Sequence, residues 1–94
     1  MSTAVTQVVP FTVYSRSYCH LCDDMLQALL GLQQPDERFE VAVVDVDADP
    51  ALVARFDELV PVLYGDPDGA ELCHYFLDVA AVRGWAGACV AEVQ

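Results

Sequence analysis

A four-stranded mixed sheet with helices on both faces, an α/β domain in the order β-α-β-α-β-β-α, is the expected fold of this 94-residue chain. Three observations lead there. Valine-rich runs alternate with apolar stretches of helical spacing; Asp49-Pro50 and Asp78 stand where helix starts are expected; and a cluster of turn residues separates the last two extended runs. An opening β-α-β unit demands a crossover and therefore a parallel strand pair, whereas a loop of five residues makes the closing pair antiparallel. A chain this short buries only about 60–65 % of the surface its unfolded form exposes, so one core and one domain, residues 1–94, are expected.

Residues 1–7 read as a loose lead-in. Val8 to Tyr14 then forms the first strand, with Pro10 tolerable only near its start or on an edge. Cys22, Met25, Leu26, Leu29 and Leu30 recur at helical spacing, which predicts a helix over 19–32 that Pro35 prevents from continuing. Phe39 to Val46 is almost wholly apolar and reads as a strand covered on both faces. Asp49-Pro50 supplies a cap and a proline at the first helical position, ahead of a buried stripe of Leu52, Val53 and Phe56. Pro61 to Tyr64 and Glu71 to Phe76 are the hairpin strands, joined by Gly65-Asp66-Pro67-Asp68-Gly69. Asp78 caps a last helix through Val79, Val82 and Trp85, weakened by Gly84. Phe11, Phe39, Phe56 and Trp85 are assigned to the core.

Charge and hydropathy narrow the partners. Fifteen acids face four arginines and no lysine, a net charge of −11 at neutral pH. Such a surface repels phosphate backbones and anionic lipid, so neither nucleic acid nor membrane is an expected partner. No apolar run approaches the roughly 20 residues of a membrane helix, and Met1 to Thr6 lacks the basic start and apolar middle of a secretory signal. The expected location is the cytoplasm, where thiols stay reduced. A monomer is expected.

Under that expectation the four cysteines, at 19, 22, 73 and 89, are not a secreted disulfide framework. Cys19-His20-Leu21-Cys22 lies where the first strand hands over to the first helix. There Cys19 occupies the N-cap, and its sulfur can accept hydrogen bonds from the otherwise unpaired amides of Leu21 and Cys22. Those donors and the helix dipole favour the thiolate, the species that attacks disulfides. Cys22, one turn on, is within reach for a bridge. Cys19 is therefore read as the exposed attacker and Cys22 as the more buried resolver. A packing role for the pair is the bland alternative. A metal site needs four ligands, and Cys19, Cys22, Cys73 and His74 would make a Cys₃His set; neighbours on a strand point to opposite faces, so no metal is expected. Cys73 reads as a small buried residue and His74 as a surface strand residue, while Cys89, near the end of the chain, is open to three readings: exposed, glutathionylated or paired between chains. Asp23 and Asp24 suit the first helical turn, although each opposes a nearby thiolate by about 0.6 kcal/mol at 7 Å in water. His20 is either a proton shuttle or a solvent-exposed spacer.

The segment Thr12-Val13-Tyr14-Ser15-Arg16-Ser17-Tyr18-Cys19-His20-Leu21-Cys22 resembles the active-site segment of glutaredoxins, where a basic residue stands three before the first cysteine. Val60-Pro61 resembles the Thr-Val-Pro element of thioredoxin-fold proteins, whose proline is cis and lies beside the cysteine pair. The resemblance spans roughly residues 8–87. It implies the thioredoxin fold and thiol–disulfide exchange, with Cys19 and Cys22 catalytic and Arg16, Tyr18, His20, Val60 and Pro61 around the substrate or glutathione. It further implies that the main chain of Val60 pairs with an incoming peptide or glutathione strand. The implied substrate is a disulfide-containing protein or a glutathione mixed disulfide, with no tightly bound cofactor and with glutathione as a possible reductant. Three departures stand against a full match. The usual Pro-Tyr between the cysteines is His20-Leu21, Cys73 to Asp78 has no Gly-Gly-x-Asp element for the glutamyl end of glutathione, and Val13 replaces the buried acid of thioredoxins. Two other readings stay open: a redox-sensing or binding module with little catalysis, and a metal or iron–sulfur carrier.

Overall fold

The computed structural model describes residues 7–56 and 59–93. Its elements are β1 (Gln7–Ser15), α1 (His20–Gly31), β2 (Glu37–Asp45), a single 3₁₀ turn (Val46–Ala48), α2 (Pro50–Phe56), β3 (Val62–Tyr64), β4 (Glu71–His74) and α3 (Val79–Val93). The four strands form one sheet in the order β2-β1-β3-β4. β1 and β2 run parallel from Gln7 opposite Glu37 to Ser15 opposite Asp45, while β3 lies antiparallel to both β1 and β4. The thioredoxin fold is realised, with one 3₁₀ turn added to the expected order.

Alternation along the central strands separates two cores. Val9, Phe11, Val13 and Leu63 point to one face, where Met25 and Leu29 of α1 and Val82 and Ala86 of α3 cover them. Tyr14, Val62 and Tyr64 point to the other, where Val46, Phe56 of α2, Val60 and Cys22 close over them. Burying an aliphatic or aromatic side chain contributes about 1.5–3 kcal/mol, so both faces of β1 and β3 work as anchors.

Local signals set the helix starts. The Asp49 carboxylate accepts the Ala51 N–H at 2.9 Å and that of Asp78 accepts the Ala81 N–H at 3.1 Å, as their positions before the helices require. In the hairpin turn the Asp66 side chain and carbonyl accept the N–H groups of Asp68 and Gly69 at 2.9 and 2.8 Å.

Several expectations need correction. Gln7 opens β1 and does not belong to a lead-in; residues 1–6 of that lead-in lie outside the described residues. β2 is an edge strand, so its second face is largely uncovered and Val43 is 55 % exposed. Its valines signalled strand, and the sheet order denied them two-sided cover. Within α2 only Phe56 is fully buried, with Leu52 and Val53 half-buried. In α1 Leu26 is half-buried and Leu30 exposed, since a helix lying on a sheet hides one stripe. α3 runs past Gly84 to Val93, and its Val79 is exposed. β4 stops at His74 because Tyr75 takes a positive φ of 65°. Cys89, left open by the sequence, is half-buried against the first core.

Pro10 sits in a central strand, against the usual rule. The register explains it. β3 begins to pair with β1 only at Thr12, so beside Pro10 that flank of β1 is still an edge, and the Pro10 carbonyl accepts the Trp85 indole N–H at 2.8 Å. Trp85 is accordingly packed against the first core, as expected, but only half-buried and tied by its polar end.

Candidate functional site

Cys19 and Cys22 are joined in a disulfide, their Cα atoms 5.2 Å apart. Local structure brings this about. β1 ends at Ser15, residues 16–19 turn the chain, and α1 begins at His20 with Cys19 as its N-cap in extended geometry. The Cys22 N–H donates to the Cys19 sulfur at 3.1 Å, and the Asp23 N–H to the Cys19 carbonyl at 3.2 Å. Of the two amides expected to serve the sulfur, it is that of Cys22 that does so. Cys19 is half-buried and not fully exposed, whereas Cys22 is enclosed at 5 % exposure, so the order of accessibility is the one expected.

Beneath the pair lies an aromatic floor. Cys22 belongs to the cluster of Tyr14, Val46, Phe56, Val60, Val62 and Tyr64, and Cys19 packs against it. The Tyr14 and Phe56 rings are 4.5 Å apart, and Tyr64 meets Tyr14 edge-on at 5.6 Å. Arg55 covers this floor from α2, lying 4.7 Å over Phe56 while donating to the Tyr64 hydroxyl at 3.0 Å. Apart from Cys19, Cys22 and Val60, the sequence singled out none of these residues for the site, because their meeting depends on sheet register and not on spacing.

Val60 and Pro61 are buried, and the peptide bond between them is cis, as the resemblance implied. Val60 shares the cysteines' cluster. The Pro61 carbonyl accepts the Tyr75 N–H at 2.9 Å, which ties the end of β4 to this turn.

The remaining expected residues fall differently. Arg16 is occupied: its guanidinium pairs with Asp47, beyond the end of β2, at 3.0 Å, and its Nε is buried with no hydrogen-bond partner. Asp47 carries no motif that would have drawn attention to it. Tyr18 is fully exposed, at a φ of 58° that L-residues other than glycine rarely take. His20 is exposed at the first position of α1. Cys73 is half-buried against the first core, on the opposite side of the sheet from the Cys22 cluster, and burial pushes its thiol pKa up. His74 points outward to Glu71, with Nδ1 and Oε2 2.7 Å apart. Among the described residues no three histidine, cysteine or acidic side chains gather as a metal site would require, and no described helix is long and apolar enough to cross a membrane.

Comparison with known proteins places these features in context. The family model described as a glutaredoxin-like domain (DUF836) matches residues 11–86. The solution structure of protein Ne2328 from Nitrosomonas europaea is 35 % identical, with 90 % of this chain and 98 % of that one covered and a TM-score of 0.73. The X-ray structure of the structural-genomics target protein XcR50 from X. campestris is 34 % identical, covering 83 % of this chain and 96 % of that one at a TM-score of 0.61. A search of curated proteins found no match.

Proposed function

Since the chain belongs to the glutaredoxin-like domain family (DUF836), we propose that it is a thiol–disulfide oxidoreductase working through Cys19 and Cys22. The observation that supports this most is the bonded pair at the start of α1, its outer sulfur served by a helix amide and its inner sulfur enclosed. In the reduced protein the Cys19 thiolate attacks one sulfur of a substrate disulfide. A Cys19–substrate mixed disulfide forms and the first substrate thiolate leaves. The Cys22 thiolate then attacks the Cys19 sulfur, displaces the second substrate thiolate and restores the Cys19–Cys22 bond. The substrate gains two electrons and two protons, and the protein dithiol loses them. A thiol reductant, glutathione or a reductase, returns the pair to the dithiol.

In this reading Val60, Pro61, Tyr18 and His20 surround the reacting sulfurs, with the main chain of Val60 pairing with the substrate. The protein acts as a monomer in the cytoplasm on disulfide-containing proteins or glutathione mixed disulfides, without nucleic acid or membrane partners and without a tightly bound cofactor. The pairing of Arg16 with Asp47 weakens the case for glutathione as substrate, since the basic group that would meet its carboxylates already has an anion. The test is chemical. Cys19→Ser abolishes turnover, and Cys22→Ser accumulates a covalent mixed disulfide detectable by mass. Equal, mild effects of the two substitutions contradict the assignment and leave the redox-sensing reading.

A further inference from the structure

Along α1, starting within the Cys19–Cys22 segment, the surface carries a groove of about 170 Å³. One wall is the α1 stripe of Leu21, Asp24, Met25 and Ala28; the other is Tyr75, Phe76 and Leu77 after β4. The stripe follows helical spacing and begins at Leu21, the residue just before Cys22, so one end of the groove adjoins the cysteine pair along α1. Its lining is apolar except for Asp24. A cavity of roughly 150 Å³ lined by aliphatic and aromatic side chains holds a benzene molecule, so this one has room for a single phenylalanine or leucine side chain.

The second wall is set in place by backbone contacts. Tyr75 is the centre of a three-residue turn closed by the Phe76 N–H to the His74 carbonyl at 2.7 Å, and its own N–H is held by the Pro61 carbonyl at 2.9 Å. This turn ends β4 early and leaves Phe76 71 % exposed at the groove's lip, where a continued strand would have paired it.

Electrostatics choose the occupant. Each of the four arginines is engaged within the chain: Arg16 with Asp47, Arg38 with Glu40, Arg83 with Glu37, and Arg55 with the Tyr64 hydroxyl and ring. With fifteen acids against four arginines, the charge facing solvent is predominantly that of carboxylates, in a chain of net charge −11. At the groove, Asp24 lines the wall, and exposed Asp23 and Asp78 flank the lining residues in sequence. An anionic tripeptide is repelled there, and a cationic polypeptide is attracted.

We propose that this groove receives one large apolar side chain from a lysine- or arginine-rich segment of the disulfide-bearing polypeptide, beside the cysteine that Cys19 attacks. The inference rests on the exchange reading above and specifies its substrate class.

The test uses the reduced full-length protein in single turnover against symmetric peptide disulfides, with samples quenched in acid and the peptide thiol product separated from the disulfide and quantified by mass. One peptide carries lysines around its cysteine and a neighbouring phenylalanine; its counterparts replace the phenylalanine by alanine or the lysines by glutamate. Hydroxyethyl disulfide, which has neither determinant, is the reference. The lysine–phenylalanine peptide is expected to open roughly ten-fold faster than its alanine counterpart, the gain from burying most of one aromatic side chain. That ratio collapses in Phe76→Ala and returns in Phe76→Leu. The preference for lysine over glutamate shrinks in Asp24→Asn and with added salt. Equal rates for all peptides alongside normal opening of hydroxyethyl disulfide overturn the groove assignment and leave the exchange reading intact. Failure to open any disulfide, the reference included, overturns both. A concentration-dependent dimer that Phe76→Ala abolishes, without peptide preference, gives the groove to a second copy of the chain and overturns the proposal.

Discussion

Cys19 and Cys73 carry the same thiol in opposite settings. The Cys19 sulfur sits at the open end of α1, where the Cys22 N–H already points at it. Cys73 lies half-buried in β4; burial pushes its pKa up and the charges of Asp78 and Glu71 act in the same direction, against a hydrogen bond from the Asp78 main chain. After gentle reduction at neutral pH, iodoacetamide is expected to modify Cys19 at least roughly ten-fold faster than Cys73. Peptide mapping by mass reads the ratio directly, and comparable rates would remove the case for an activated sulfur. Cys19's setting was legible in the sequence because an N-cap is decided within four residues. Arg16 was legible only as a basic residue at a certain distance from the pair. That Asp47, 31 residues further on, holds its guanidinium depends on where β2 ends relative to β1.

α3 and the β3–β4 hairpin meet at Gly65, where a Cβ would collide with the Trp85 indole. That indole also donates to the Pro10 carbonyl, so it has little freedom to retreat. Gly65→Ala is therefore expected to cost about 1–3 kcal/mol, as overpacking of a filled site does, read as a lower urea midpoint with an unchanged slope. An unchanged midpoint would mean that the indole moves freely. Composition at 65–69 announced a turn, and the turn is there. What it could not announce is that the first glycine is required by a tryptophan twenty residues later and not by its own backbone conformation. The same distinction applies to β2, whose valines and phenylalanine identified a strand but not its place at the sheet's edge.

One ion pair spans the molecule. Arg83 of α3 donates through both terminal nitrogens to the Glu37 carboxylate, each at 2.8 Å, at the start of β2, and the Glu37 side chain is only 5 % exposed. The Arg83 hydrogen bonds hold the Glu37 carboxyl below its usual range, against the opposing pull of burial. Glu37 thus stays ionised in the fold at acidities where the unfolded chain has taken up a proton. Its contribution is complete above the ordinary glutamate pKa and is lost as pH falls through that range toward the lowered folded value. Glu37→Gln is expected to cost roughly 2–3 kcal/mol at neutral pH, less than a fully enclosed pair because Arg83 keeps some contact with water. The gap between variant and parent should narrow on acidification, measured by urea unfolding across pH. A constant gap would show that shape, and not charge, is what Glu37 supplies.

Periodicity, caps and turn residues specified the order of elements here, and the junction of strand and helix marked the cysteine pair, because each of these signals acts between residues a few positions apart. The sheet order, the engagement of every arginine, the aromatic floor under Cys22 and the apolar groove ending at Phe76 all join residues tens of positions apart. Those contacts exist only once β1 has β2 on one side and β3 on the other, since that pairing sets which side chains meet on each face.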